Sequence, residues 1–254
     1  MIPRLHNLKR TLHRKCRYNQ YDSEINKLLQ RNYAEKVPED QLSSKNRIWY
    51  LPHQPVITEK KPGKVRVVFD CAARYHGESL NDKALRGPDL NNKLSHVLLR
   101  LRENPYAFTA DVEAMYNQVK VPEADRDALR FLWFDENGII QHYRMTSHLF
   151  GGVWCASAAT YALRCIAKED TKPQVRNTIE FAFYVDDCLK SSSTKEDARE
   201  KIHRTREALA AAGFRLIKYV ANEEGLLRDL LAEDVVQKTN LAATGSDSKA
   251  LGIE

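Results

Sequence analysis

Apolar residues recur along this chain at two spacings, and the changes between them mark its elements. At helical spacing stand Leu5, Leu8, Leu12 and Cys16 within residues 4–17. Ile25, Leu28 and Leu29 follow Asp22, a good N-cap, and predict a second helix that ends before Pro38. Leu90, Leu94, Val97, Leu98 and Leu101 behind Asp89 form a one-sided stripe that reads as core packing. A helix is expected to open at Leu149-Phe-Gly-Gly152 and to carry Ala156, Ala158, Ala159, Leu163 and Ile166. Another follows Thr194-Lys-Glu-Asp197, a capping box with Asp in place of Glu, and stops at Gly213. Short helices are expected from Glu123 to about Ala128 and over 223–233.

Strand patterns lie between these helices. Arg47–Leu51 begins one, with extended chain through Pro52 and Pro55. Val65–Asp70 is another, with Val65, Val67 and Phe69 on one face and Arg66 and Val68 on the other. The basic turn Lys60-Lys-Pro-Gly-Lys64 separates the two. Phe131–Phe134 and Ile139–Tyr143 flank Asn137-Gly138, a two-residue hairpin signal. Phe214–Tyr219 is a further strand, and Gly77 with Ser79-Leu-Asn-Asp82 reads as irregular chain. Hairpin signals with few strand–helix–strand units predict an α+β fold with an antiparallel sheet.

Two apolar strands end in acids. Phe181-Ala-Phe-Tyr-Val-Asp-Asp-Cys188 reads as a strand running into a tight turn, with Phe181, Phe183 and Val185 on one side. Tyr106-Ala-Phe-Thr-Ala-Asp111 also ends in a carboxylate. Acids beside buried apolar residues are costly unless paired or metal-bound. Asp111, Asp186 and Asp187 are therefore candidate ligands for two divalent cations about 3.5–4 Å apart, an arrangement used in phosphoryl chemistry. An acidic surface hairpin has the same composition.

The formal charge of +6 and pI near 9.0 agree with a polyanionic partner. The basic residues of 4–17 read either as a nucleic-acid contact or as a solvated face. Five cysteines without a CxxC pair indicate neither a zinc site nor a disulfide framework, so an intracellular compartment is expected. No apolar run approaches the roughly 18 residues that span a bilayer, and no membrane partner is expected.

Tyr184-Val-Asp-Asp187 resembles the YxDD box of reverse transcriptases, and Asp111-Val-Glu-Ala-Met-Tyr116 resembles their first palm motif. WYLPHQPV, KVRVVFDCAA, ESLND, RGPDLNNKL and FGG are similar to the polymerase region of BEL/Pao-type LTR retrotransposons, from about Tyr33 to the end. Cys155-Ala156 stands where that family usually has Ser-Pro.

The resemblance implies a right-hand polymerase of fingers and palm with helices behind an antiparallel palm sheet, its thumb, ribonuclease H and integrase lying outside these residues. It divides the chain into a basic helical extension (1–46), fingers (47–105 and 122–148) and palm (106–121 and 149–254), the last ending where the primer grip starts. It implies RNA-directed DNA synthesis on an RNA or DNA template with a primer, deoxynucleoside triphosphates and two Mg²⁺ ions, for which Mn²⁺ can substitute. Asp111, Asp186 and Asp187 become catalytic metal ligands. Lys64, Arg66, Tyr116, Gly151 and Lys218 become nucleotide contacts, with Tyr116 as the gate against a ribose 2′-hydroxyl and Lys218 beside the leaving pyrophosphate. A truncated or domesticated domain that binds nucleic acid without polymerising is the alternative. A nuclease or phosphatase built on the same acids explains none of the fingers motifs.

Overall fold

The computed structural model describes residues 1–43, 47–57, 65–169 and 172–236. Among them the elements are, in chain order, α1 (Ile2–Arg14), α2 (Tyr18–Gln30), β1 (Ala34–Lys36), β2 (His53–Ile57), β3 (Val65–Phe69) and α3 (Leu80–Lys83). Next come α4 (Leu94–Leu101), β4 (Tyr106–Val112), α5 (Met115–Gln118), α6 (Glu123–Arg126), β5 (Arg130–Phe134) and β6 (Ile140–Met145). The last are α7 (Cys155–Glu169), α8 (Pro173–Phe181), β7 (Phe183–Tyr184), β8 (Asp187–Ser192), α9 (Lys195–Ala211) and β9 (Leu216–Ala221). They form two compact units: residues 1–87 with 116–155, and residues 88–115 with 156–254.

The first unit is organised around an aromatic core. β1, β6 and β5 form an antiparallel sheet, and β2 pairs with β3 in a separate hairpin. β5 is buried along its whole length, and α1 and α2 cover it with Leu5, Leu12, Tyr21 and Ile25. Each large apolar side chain so buried contributes about 1.5–3 kcal/mol. His53 sits inside this core, where Tyr21 Oη lies 2.6 Å from Nδ1 and the Leu132 carbonyl 2.9 Å from Nε2. That geometry suits a neutral ring with its proton on Nε2, and burial holds its pKa down to about 4.

Several sequence expectations change here, one through a distant partner and others through local hydrogen bonds. α2 starts at Tyr18, and Asp22 does not cap it; its carboxylate instead accepts from Trp133 Nε1 at 2.8 Å. Cys16 lies past the end of α1, exposed in a turn. The expected strand at 47–51 supplies only a bridge at Tyr50, and the strand itself begins at His53. Asn137-Gly138 is not a two-residue turn: Asp135 and Ile139 close a three-residue loop, with the Asp135 carboxylate accepting from the amides of Asn137 and Ile139. Ser79 and Asp82, expected in irregular chain, cap α3 reciprocally.

The second unit holds a four-stranded antiparallel sheet in the order β7-β8-β4-β9. α9 packs on β4, β8 and β9 through Ala198, Ile202 and Leu209, and Thr194 caps it by accepting from the Asp197 amide, as its sequence predicts. α4 begins at Leu94, not at Asp89, because Asn91 and Asn92 are engaged elsewhere. Residues 173–181, the last of which was expected in a strand, are α8: Pro173 opens it and Val175 and Ile179 face inward. Phe181 is thus an exposed helix-end residue, its ring under the Arg100 guanidinium. The helix expected at 223–233 is two short 3₁₀ turns, Glu224–Leu226 and Ala232–Asp234.

Candidate active site

Strand register brings the three acids together. Asp111 is the next-to-last residue of β4 and lies directly across from Asp187, the first of β8. Tyr184 pairs with Asp187, so Val185-Asp186 is a two-residue hairpin turn. The Val112 amide donates to the Asp186 carbonyl at 2.8 Å, which fastens that turn to the end of β4. All three acids are half-buried. Burial, then the charges of Asp186 and Asp111, push the Asp187 carboxyl up to about 6, against the opposing pull of Lys218.

Lys218 reaches this group through a fault in the sheet. Thr109 pairs with Val220 and Asp111 with Ile217, so Ala110 faces two residues of β9, Lys218 and Tyr219. At this bulge Lys218 adopts φ +55°, and its Nζ donates to Asp111 Oδ2 at 2.6 Å. Bulges commonly re-aim a side chain beside a functional site. Val185 has φ +55° and Ala114, three residues after Asp111, has φ +49°. These are the non-glycine residues of this unit in the left-handed region, among the described residues, and each borders the acids. For a β-branched residue such as Val185 this is a true outlier. Strain of this kind costs about 1–3 kcal/mol per residue and gathers at functional sites.

An all-oxygen donor set of carboxylates suits a hard cation such as Mg²⁺. The side chains as they stand hold an ammonium instead. Among the described residues no three or more His, Cys, Asp or Glu side chains are grouped so that they could hold a metal ion. What the structure shows is three mutually repelling acids on adjoining strand ends, one of them neutralised by Lys218.

The remaining sequence candidates lie in the first unit, except Lys64, which falls outside the described residues together with Lys60 and Lys61. Arg66 is exposed on β3, opposite Val56. Loop 149–152 links the other two. Tyr116 packs edge-on against Phe150, ring centroids 4.6 Å apart. Gly151 has φ +115°, and a Cβ there would lie 2.4 Å from the Phe69 carbonyl oxygen, so only glycine fits. Cys155 is buried at the start of α7, where burial pushes its thiol up to about 11.

Two asparagines escape sequence reasoning. Asn81, in ESLND, donates to the Gly151 carbonyl at 3.1 Å and accepts from the Val153 amide at 3.0 Å, clamping that loop. Asn92, in RGPDLNNKL, donates to the carbonyls of Glu180 and Phe183, both at 2.9 Å, and so holds the strand that leads to the acids. The local signal is an amide side chain, at Asn92 in the segment before the apolar α4 and at Asn81 in the short capped turn α3.

No protein-family model matches the chain, and no curated protein does. Solved structures match it with TM-scores above 0.5, and they show a reverse transcriptase-like fold of helices and antiparallel sheets. One is the foamy viral protease-reverse transcriptase in complex with double-stranded DNA: 18% identity, TM-score 0.54, covering 74% of this chain and 28% of that one. Another complex with double-stranded DNA gives 20% identity and TM-score 0.56 over 76% and 34%. The same viral protein with an RNA/DNA hybrid gives 18% identity and TM-score 0.55 over 76% and 22%. The chain thus spans 22% to 34% of the length of these neighbours. No helix among the described residues is long and apolar enough to cross a membrane.

Proposed function

We propose that this chain performs template-directed nucleotidyl transfer, as the reverse transcriptase region of a BEL/Pao-type LTR retrotransposon polyprotein. It would extend a primer on an RNA or DNA template with deoxynucleoside triphosphates. The observation that carries this reading is the meeting of Asp111, Asp186 and Asp187 on adjoining strand ends, bordered by left-handed non-glycine residues. The reverse transcriptase-like fold supports it, and the sequence words that resemble BEL/Pao elements support the branch. Five free cysteines agree with an intracellular setting. In this reading residues 47–105 and 122–148 act as fingers, and 106–121 with 149–254 as palm.

Asp111 and Asp186, with Asp187 in support, are the residues that would hold two Mg²⁺ or Mn²⁺ ions. Bound there, such ions lower the pKa of an attacking hydroxyl and offset charge on phosphate oxygens. The primer 3′-oxygen bonds to the α-phosphorus, its proton passes to solvent, and the bond to pyrophosphate breaks. Lys218, now held on Asp111, supplies positive charge or a proton from Nζ to that leaving group. Arg66 and Lys64 grip the triphosphate. Tyr116 meets the sugar and acts only against a ribose, which makes it an efficient discriminator.

Primer extension on RNA and DNA templates with Mg²⁺, using the chain as it is, tests the proposal. Single-nucleotide addition is expected, and Asp186→Asn should lower it by on the order of 10²–10³-fold or more. Equal extension by the variant would remove Asp186 from the chemistry.

A further inference from the structure

The +6 charge of this chain has one address. Residues 1–21 hold Arg4, Lys9, Arg10, Arg14, Lys15 and Arg17 and no Asp or Glu. The other 34 basic residues are matched in number by the 34 acidic ones, so the whole formal excess lies in this segment.

The structure decides which way the charge faces. α1 turns Leu5 and Leu12 into the core of the first unit, and Lys9 lies over the Phe134 ring, 4.1 Å from its centroid. Arg4, Arg10, Arg14 and Lys15 are exposed. At roughly 100° per residue, Arg10 and Arg14 fall opposite Leu5 and Leu12, with Arg4 on the flank. Among the described residues none of these four is paired with a carboxylate; Arg10 bonds the neutral Asn7 side chain. The first turn of α1 carries Arg4 and no acid, against the helix dipole, and Arg10 and Arg14 repel each other at i, i+4. Arg14 and Lys15, at the C-terminal end of α1, suit the dipole, so the adverse part of the pattern lies at Arg4 and in the Arg10–Arg14 pair.

We propose that the outward face of α1, formed by Arg4, Arg10, Arg14 and Lys15, binds the phosphate backbone of a nucleic acid without regard to base sequence. Arg4 to Arg14 spans about 15 Å of helix axis, on the order of four phosphate spacings along one strand. A membrane surface fits less well, because a surface-lying helix must put an apolar face into the lipid, and that face of α1 is buried in the protein core. The inference deepens the polymerase reading but rests on charge and exposure, not on catalysis.

The test is fluorescence anisotropy of the full chain with a labelled DNA duplex and an RNA/DNA hybrid of arbitrary sequence, over a KCl series. Replacing all four residues with Gln, a good helix former, should flatten the slope of log affinity against log salt by about 3 and weaken low-salt binding at least about tenfold. The Arg-to-Lys version of the three arginines should keep the slope. Should the fourfold variant not fold, Arg14→Glu alone must still flatten the slope by about one. Unchanged slopes overturn the proposal. So does a chain that binds phosphatidylserine vesicles through these residues while its duplex binding stays unmoved in the fourfold variant. A flattened slope without primer extension by the wild type sustains this surface and sinks the polymerase reading; extension with an unchanged slope does the reverse.

Discussion

Two clusters of half-buried or buried charge, one from each unit, are built on opposite principles. In the first, Asp127 Oδ1 lies 3.0 Å from Arg144 Nη1 and 2.9 Å from Arg130 Nη2, and Glu35 takes a second bond from Arg144 at 2.7 Å. Arg130 is fully buried and spends its other donors on the carbonyls of Gln41 and Leu42. Two acids meet two buried guanidinium groups, with the half-buried Arg126 a further partner of Glu35 at 3.4 Å, and every bond is directional. In the second, three acids meet one lysine whose side chain is 52% exposed. A balanced, saturated cluster fixes a fold. An unbalanced one is a standing demand for positive charge, which is the electrostatic signature of a functional site.

The largest expected effect breaks the balanced side. Asp127→Asn leaves two buried guanidinium groups short of their shared partner and should cost about 3–5 kcal/mol. Trp49, Trp133 and Trp154 all lie in the first unit, so tryptophan fluorescence during urea unfolding reports on it directly. Asp186→Asn removes a carboxylate of the same size from the second cluster and should leave the melting temperature unchanged or raised. A destabilised Asp186→Asn would mean that the two clusters do the same job.

Acid should separate the units further. His53 has a folded pKa near 4, below its ordinary value, so the unfolded chain binds its proton first as pH falls. Stability from this group is complete above about 6.5 and is lost as pH falls through 4, by about 3 kcal/mol in all. Asp187 has the opposite sign: its folded pKa near 6 lies above the ordinary 3.8, so its contribution is complete below that value and is lost as pH rises through 6. Between pH 7 and 4 the first unit should lose stability while the second gains it, read as amide exchange of β5 against β8. Parallel changes would show that these two groups do not govern the pH response.

Tyr116→Ala should admit ribonucleotides by removing a clash of about 1–3 kcal/mol. Competition between ribo- and deoxynucleotides in single additions measures it, and unchanged selectivity would leave Tyr116 as the packing partner of Phe150. The smallest effect concerns the strained turn. Val185→Gly should stabilise the second unit by about 1 kcal/mol, since glycine reaches positive φ freely. A loss of stability would mean that the Val185 side chain, not its backbone, sets the turn.

Local order was legible in the sequence wherever one spacing ran unbroken. The stripe of α9 and the alternation of β3 and of β4 follow from side-chain direction along a helix or strand, the α9 cap from Thr194, and the hairpin of β5 and β6 from the turn residues Asn137-Gly138. The three acids stood out because two apolar strands end in charge. Only tertiary structure decided the rest. Phe181 closes a helix, since the inward face of α8 includes Val175 and Ile179, too far back to be read with the YVDD turn. Asp22 serves Trp133, 111 residues away, in place of its own helix end. Asp111 meets Lys218 across 107 residues because a bulge in β9 turns that lysine toward it. Periodicity records which way a side chain points from its own element; which distant atom it meets depends on register and packing, and these exist only once the chain has closed.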